Sequence, residues 1–156
     1  MKKETKSCPD SYRDFGSFLH QGKNEQKRLS LNHQKILSLN TIQIPNLKPG
    51  DTIALISSAR KVSKEELLFA INLLESWGLK VSFGQNLFKE EHQFAGSVEQ
   101  RRQDLQEAIN DENVKAILFV RGGYGSVQVV DYIDWSEFQR NSKWLIGFSD
   151  ITVFHS

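Results

Sequence analysis

The chain has 156 residues, 20 Lys plus Arg against 19 Asp plus Glu, and a formal charge of +1. That length suits one domain of roughly 100–200 residues, and so even a balance argues against nucleic-acid or anionic-membrane binding driven by bulk charge. The lone Cys8 excludes an internal disulfide framework and a multi-thiolate zinc site, no apolar run reaches the roughly 18–20 residues of a spanning helix, and polar residues follow Met1-Lys2-Lys3 where a signal peptide would turn apolar.

Residues 1–45 are rich in Lys, Asn, Gln and Ser, with scattered apolar residues and one tight cluster at Ile36, Leu37 and Leu39. Such a segment buries too little apolar surface to offset its ordering entropy, and it is expected to be a disordered tail. A domain is expected over 46–156. Pro49-Gly50 marks a turn, and Thr52 to Ile56 is a short apolar, β-branched run that suits a buried parallel strand. Ser63-Lys64-Glu65-Glu66 reads as a capping box. Leu67, Leu68, Ile71, Leu73 and Leu74 follow at helical spacing, and Gly78 is placed to end that helix in a left-handed cap.

Leu79 to Phe83 predicts a second strand. A second capping box, Ser97 to Gln100, opens a helix with Leu105, Ala108 and Ile109 on its apolar face. Val114 to Val120 is a third strand, the turn Gly122-Gly123-Tyr124-Gly125 leads into a short segment from Ser126 to Ile133, and Trp144 to Phe148 is a fourth strand. Strands alternating with helices imply βαβ units and a parallel sheet covered on both faces. The apolar pattern that starts at Ile151, Val153 and Phe154 has no continuation, so the chain is expected to be a truncated part of a larger α/β protein, the alternative being that a partner supplies the missing layer.

Ligands of open parallel sheets bind outside the carboxyl ends of the strands. Two unusual sequences fall there: Arg121-Gly122-Gly123-Tyr124-Gly125-Ser126 and Gly147-Phe148-Ser149-Asp150. Ser149 on a strand-to-helix turn suits an exposed nucleophile with backbone N–H groups nearby. It equally suits an ordinary helix N-cap, and Ile151 stands where G-x-S-x-G has its second glycine. The glycine turn could line an anion or oxyanion site or be a plain βα connection. It lacks the third glycine of a dinucleotide fingerprint, with Gln128 at that place.

Of the four histidines, His20 and His33 lie in the tail and His92 in a charged loop. His155, six residues beyond Ser149, would be rotated well away on an α-helix, so no base for the serine is evident. Arg121 could bind a carboxylate or form a structural ion pair, and Tyr124 could floor a pocket or cover the turn. No acidic spacing suits a metal, and no cofactor is expected.

Taken in order, Leu47-Lys48-Pro49-Gly50-Asp51, Ala54-Leu55-Ile56-Ser57, Phe94-Ala95-Gly96 with Arg101 and Asp104-Leu105, Val120 to Gly125 and Ile146 to Thr152 resemble the N-terminal half of the LD-carboxypeptidase family of serine peptidases. The resemblance implies a Rossmann-like (flavodoxin-like) domain and a cytoplasmic enzyme of murein recycling that removes the terminal D-alanine from a tetrapeptide. It implies Ser149 as nucleophile, with the N–H groups of Gly123 (less firmly Gly122) and of Asp150 as oxyanion hole. Arg121, Gly122 and Tyr124 would border the substrate. Gln128 departs from the Arg that many members carry there. The family's triad Glu and His come from a C-terminal domain. The implied partners are therefore a murein peptide and that domain, with a homodimer as an option for the complete protein, and the chain alone is expected to be inactive. A related self-immunity amide hydrolase acting on a peptide antibiotic and a non-catalytic anion- or peptide-binding module are the alternatives.

Overall fold

The computed structural model describes residues 43–156; the predicted tail lies outside them as far as residue 42. Four strands, β1 (Thr52–Ile56), β2 (Lys80–Phe83), β3 (Val114–Phe119) and β4 (Trp144–Ile146), form one sheet in the order β2-β1-β3-β4. Every pairing is parallel. The fold is thus α/β, and its strand order is that of a flavodoxin-like sheet, which reverses direction between β1 and β3.

Local chemistry explains the helices. Helix α1 (Lys64–Ser76) starts where Ser63 Oγ accepts from Glu66 N–H and Glu66 returns a carboxylate to Ser63 N–H. It ends at Gly78, whose φ of +79° is open to glycine at little cost. Helix α2 (Val98–Asn110) repeats the device with Ser97 and Gln100. Leu67, Ile71 and Leu74 of α1 are buried, whereas the predicted apolar positions Leu68 and Leu73 face solvent. Only one stripe of a helix meets a sheet, and these two lie on its flank.

Two apolar layers sandwich the sheet. Ile53, Leu55 and Ala116 pack beneath α1 with Leu67, Ile71 and Leu74. Ala54, Ile56, Ile117 and Phe119 pack on the other side against Leu105, Ala108 and Ile109 of α2. Alternation along a strand produces this division. A register shift between Thr52 and Ile53 moves Val114 to the α2 side, out of phase with Ala116.

After β3 come two short helices, α3 (Val127–Val130) and α4 (Ser136–Arg140), then β4 and a 3₁₀ helix (Ser149–His155). β4 is shorter than predicted, stopping at Ile146. The element beyond it is 3₁₀ rather than α. Ile151 N–H donates to Phe148 O three residues back, and the Ser149 carbonyl is taken by Thr152 Oγ1. The run Ile151-Thr152-Val153 is β-branched, which disfavours an α-helix.

Candidate active site

Ser149 stands at the carboxyl end of β4, exposed, with φ of +61°. This left-handed conformation costs a residue other than glycine about 1–2 kcal/mol. It also sets Ser149 apart from an ordinary N-cap. An N-cap has extended backbone and bonds an N–H two or three residues on. Here the cap is Phe148, at φ −148° and ψ 173°, and no side chain caps the helix. Among the described residues the Ser149 hydroxyl has no hydrogen-bond partner. The left-handed backbone presents an unpaired hydroxyl to solvent, which is not the geometry of a cap.

The place of the missing second glycine is explained by the first. A Cβ on Gly147 would lie 2.4 Å from Ile151 Cγ2 and 2.8 Å from its Cβ. The two ends of this sharp turn touch, and one glycine is enough to admit a buried isoleucine opposite.

The glycine turn lies against the serine. A Cβ on Gly122 would come within 3.4 Å of both Ser149 Cβ and Phe148 O, and 3.7 Å from Asp150 N. Gly123, at φ +131°, takes a backbone conformation that favours glycine. Asp150 ties the two segments together, because its Oδ2 accepts from Gly125 N–H (3.1 Å) and Ser126 N–H (2.8 Å). Sequence reasoning assigned only the backbone of Asp150; its side chain sets the turn against the serine.

A buried guanidinium completes the frame. Arg101 Nη1 donates to Ser58 O (2.7 Å) and Gly125 O (3.0 Å), and Nη2 donates to Gln128 Oε1 (2.9 Å). Its Cζ lies 4.7 Å from the centroid of the Phe94 ring. Burial pushes its pKa down, opposed by the charges of Glu91 and Asp150. Ser58 Oγ and Ser126 Oγ, 2.6 Å apart, bridge the same two loops. The residues following β1, β3 and β4 are therefore one hydrogen-bonded unit. Gln128 here is an acceptor for Arg101. The sequence signal for Arg101 was its position: it falls on the apolar stripe of α2, four and seven residues before Leu105 and Ala108, where a charge has to be paired.

The other predicted rim residues differ in role. Arg121 Nη1 pairs with Glu66 Oε1 at 3.0 Å and with Lys61 O at 3.3 Å, the structural ion pair among its two readings. The Ser63 N–H, and then Arg121, hold the Glu66 carboxyl below its usual pKa. Tyr124 is 86% exposed. His155 Nε2 lies 3.2 Å from Leu145 O. His155 closes the 3₁₀ helix that Ser149 opens, six residues further on. A rise of about 2 Å per residue carries it about 12 Å along the axis. Among the described residues no cluster of three or more His, Cys, Asp or Glu could hold a metal ion, and no helix is long and apolar enough to cross a membrane.

A flavodoxin-ordered sheet that carries a strained, exposed serine against a glycine turn defines an α/β protein built around a serine elbow. Residues 53–156 match the LD-carboxypeptidase N-terminal domain, and the chain belongs to that family. It is 36% identical over 110 residues to a probable murein peptide carboxypeptidase of Bacillus subtilis, covering 70% of this chain and 34% of that one. It is 36% identical over 105 residues to a murein tetrapeptide carboxypeptidase of Pseudomonas aeruginosa, covering 67% and 34%. Among solved structures it resembles an MccF-like protein from Bacillus anthracis with a TM-score of 0.68 and 36% identity, over 73% of this chain and 36% of that one. The chain spans about a third of the length of the curated relatives it matches.

Proposed function

We propose that this chain is the nucleophile-bearing part of a serine LD-carboxypeptidase, acting in the cytoplasm on murein tetrapeptides released during cell-wall recycling. The observation that carries the reading is the pairing of a left-handed, exposed Ser149 with Gly122 packed directly against it. The murein peptide specificity named for two relatives supports the substrate class.

In this mechanism Ser149 Oγ attacks the carbonyl carbon of the amide before the terminal D-alanine. The carbonyl oxygen becomes an oxyanion, held by the N–H groups of Gly123 and Asp150, with Gly122 beside them. The serine proton passes to a general base and then to the leaving amine, so D-alanine departs as the C–N bond breaks. Water then attacks the ester, releasing the tripeptide and restoring the hydroxyl. The base and its carboxylate partner are a His and a Glu of the family's C-terminal domain, and the 156 residues alone turn over no substrate.

The test follows D-alanine release from an L,D-tetrapeptide. The chain alone should release none; joined to the C-terminal portion of a relative it should release D-alanine, and Ser149→Ala should cut the rate by about four orders of magnitude or more. Undiminished release by Ser149→Ala would remove the serine from the mechanism, and turnover by the chain alone would refute its inactivity.

A further inference from the structure

Resting on that reading, we propose that Arg60 is the clamp for the substrate's terminal carboxylate. A carboxypeptidase has to tell a free terminal carboxylate from a continuing chain. That carboxylate is three bonds from the scissile carbonyl carbon, so its receptor must lie within about one residue's length of Ser149. The reversal point of the sheet is between β1 and β3, and the crevice outside their carboxyl ends is where such sheets bind ligands. The loops after these two strands carry three cations: Arg60, Lys61 and Arg121.

Two of the three are neutralised. Lys61 Nζ lies 2.5 Å from Glu90 Oε2, and Arg121 pairs with Glu66. Arg60 is exposed and has no acidic partner among the described residues. Its backbone is nevertheless fixed. Arg60 O accepts from Ser57 Oγ at 2.6 Å, Arg60 bridges Phe94, and the next N–H donates to Gln93 O. A pinned main chain with an unpaired head is the arrangement of a receptor, since little ordering remains for the ligand to impose.

The stem of this side chain runs over the glycine turn. A Cβ on Gly123 would meet Arg60 Cγ at 2.6 Å, Cδ at 3.1 Å and Nε at 3.3 Å. The bare Cα of Gly123 thus makes room for the arginine, and its neighbour Gly122 touches Ser149. The Arg60 side chain thus passes over Gly123, the residue after the one that faces Ser149. Its planar fork suits a carboxylate bidentately, which lysine cannot reproduce.

The purified 156-residue chain, isotopically labelled, is titrated with acetyl-L-lysyl-D-alanine and with its C-terminal amide. The Arg60 Nε–H and Gly123 N–H resonances are followed by NMR up to about 50 mM ligand, where millimolar affinities still saturate. The acid should bind about tenfold more tightly than the amide. Arg60→Met should bring the ratio to about one with the amide's affinity unchanged, and Arg60→Lys should restore only part of it. A merely structural arginine would move both ligands together. Equal binding of acid and amide by the wild-type chain, a preference that survives Arg60→Met, or no binding at all would each overturn the clamp. Failure of the catalytic reading is seen separately: an Arg60-dependent preference without Ser149-dependent D-alanine release would keep the clamp and discard the reaction.

Discussion

Ser149 stores conformational strain that its neighbours hold in place. Glycine adopts φ of +61° without the Cβ penalty, so Ser149→Gly should match the wild type or exceed it by up to about 1 kcal/mol in urea unfolding, while Ser149→Ala gains nothing. A clear loss with glycine would show that the serine is not strained. Asp150 is the restraint. Asp150→Ala leaves two N–H groups of the glycine turn without an acceptor and should cost about 1–3 kcal/mol, and Asp150→Asn, which keeps one carbonyl oxygen, should cost less. What the sequence showed at this scale was residue type: a serine and a glycine turn at the ends of adjacent strands. It did not show conformation. Ser-Asp after a strand satisfies the rules for a cap, and only the left-handed backbone at Ser149 and the carboxylate of Asp150 bridging to Gly125 and Ser126 remove that reading.

At the scale of elements, the helix starts were legible because a capping box is a local contract between residues three apart, and both boxes form. Ser63→Ala should lower stability by about 0.5–2 kcal/mol. The 3₁₀ helix was not legible, because its choice depends on a β-branched run and a carbonyl claimed by Thr152. The polar pair on the buried face of α2 was legible as charges in need of partners, but the partners were not, since Arg101 and Asp104 answer to groups on other elements. Asp104 accepts from Asn86 N–H and Nδ2, yet burial outweighs these bonds and raises its pKa above the ordinary 3.8. A carboxyl whose folded pKa exceeds its unfolded one costs stability only when ionised. The cost is absent below the unfolded pKa, grows as pH rises from about 3.8, and levels off above the folded pKa. Asp104→Asn keeps an acceptor for Asn86 and removes the charge. Its urea midpoint relative to wild type should therefore be more favourable at about pH 7 than at about pH 4. A difference that does not change with pH would mean that Asp104 titrates normally.

At the largest scale, the described residues are distributed asymmetrically about the sheet. On one side α2, α3, α4 and the 3₁₀ helix cover β1, β3 and β4. On the other, α1 covers β2, β1 and part of β3. Strand alternation sends Leu145 into the covered layer and leaves Trp144, Ile146 and Phe148 exposed on the α1 side. Between this edge and α1 runs an apolar groove of about 250 Å³, lined by Leu67, Ala70, Leu118, Val120, Ile146 and Phe148 among others. Parallel strands are stable when both faces are buried, and among the described residues this face is only partly covered. A contiguous apolar surface of this kind drives association or dye binding in a way that scattered residues do not. The chain by itself should bind an environment-sensitive dye such as anilinonaphthalene sulfonate and self-associate as concentration rises. Ile146→Ser with Phe148→Ser should at least halve the dye signal, because both line the groove. Phe69→Lys with Trp77→Lys, exposed on α1 and just after it, should change it little, because neither residue lines the groove. A monomeric chain that leaves the dye dark would show that the groove closes on itself in solution. A signal lost through the α1 pair instead would put the sticky surface on the helix and not on the sheet.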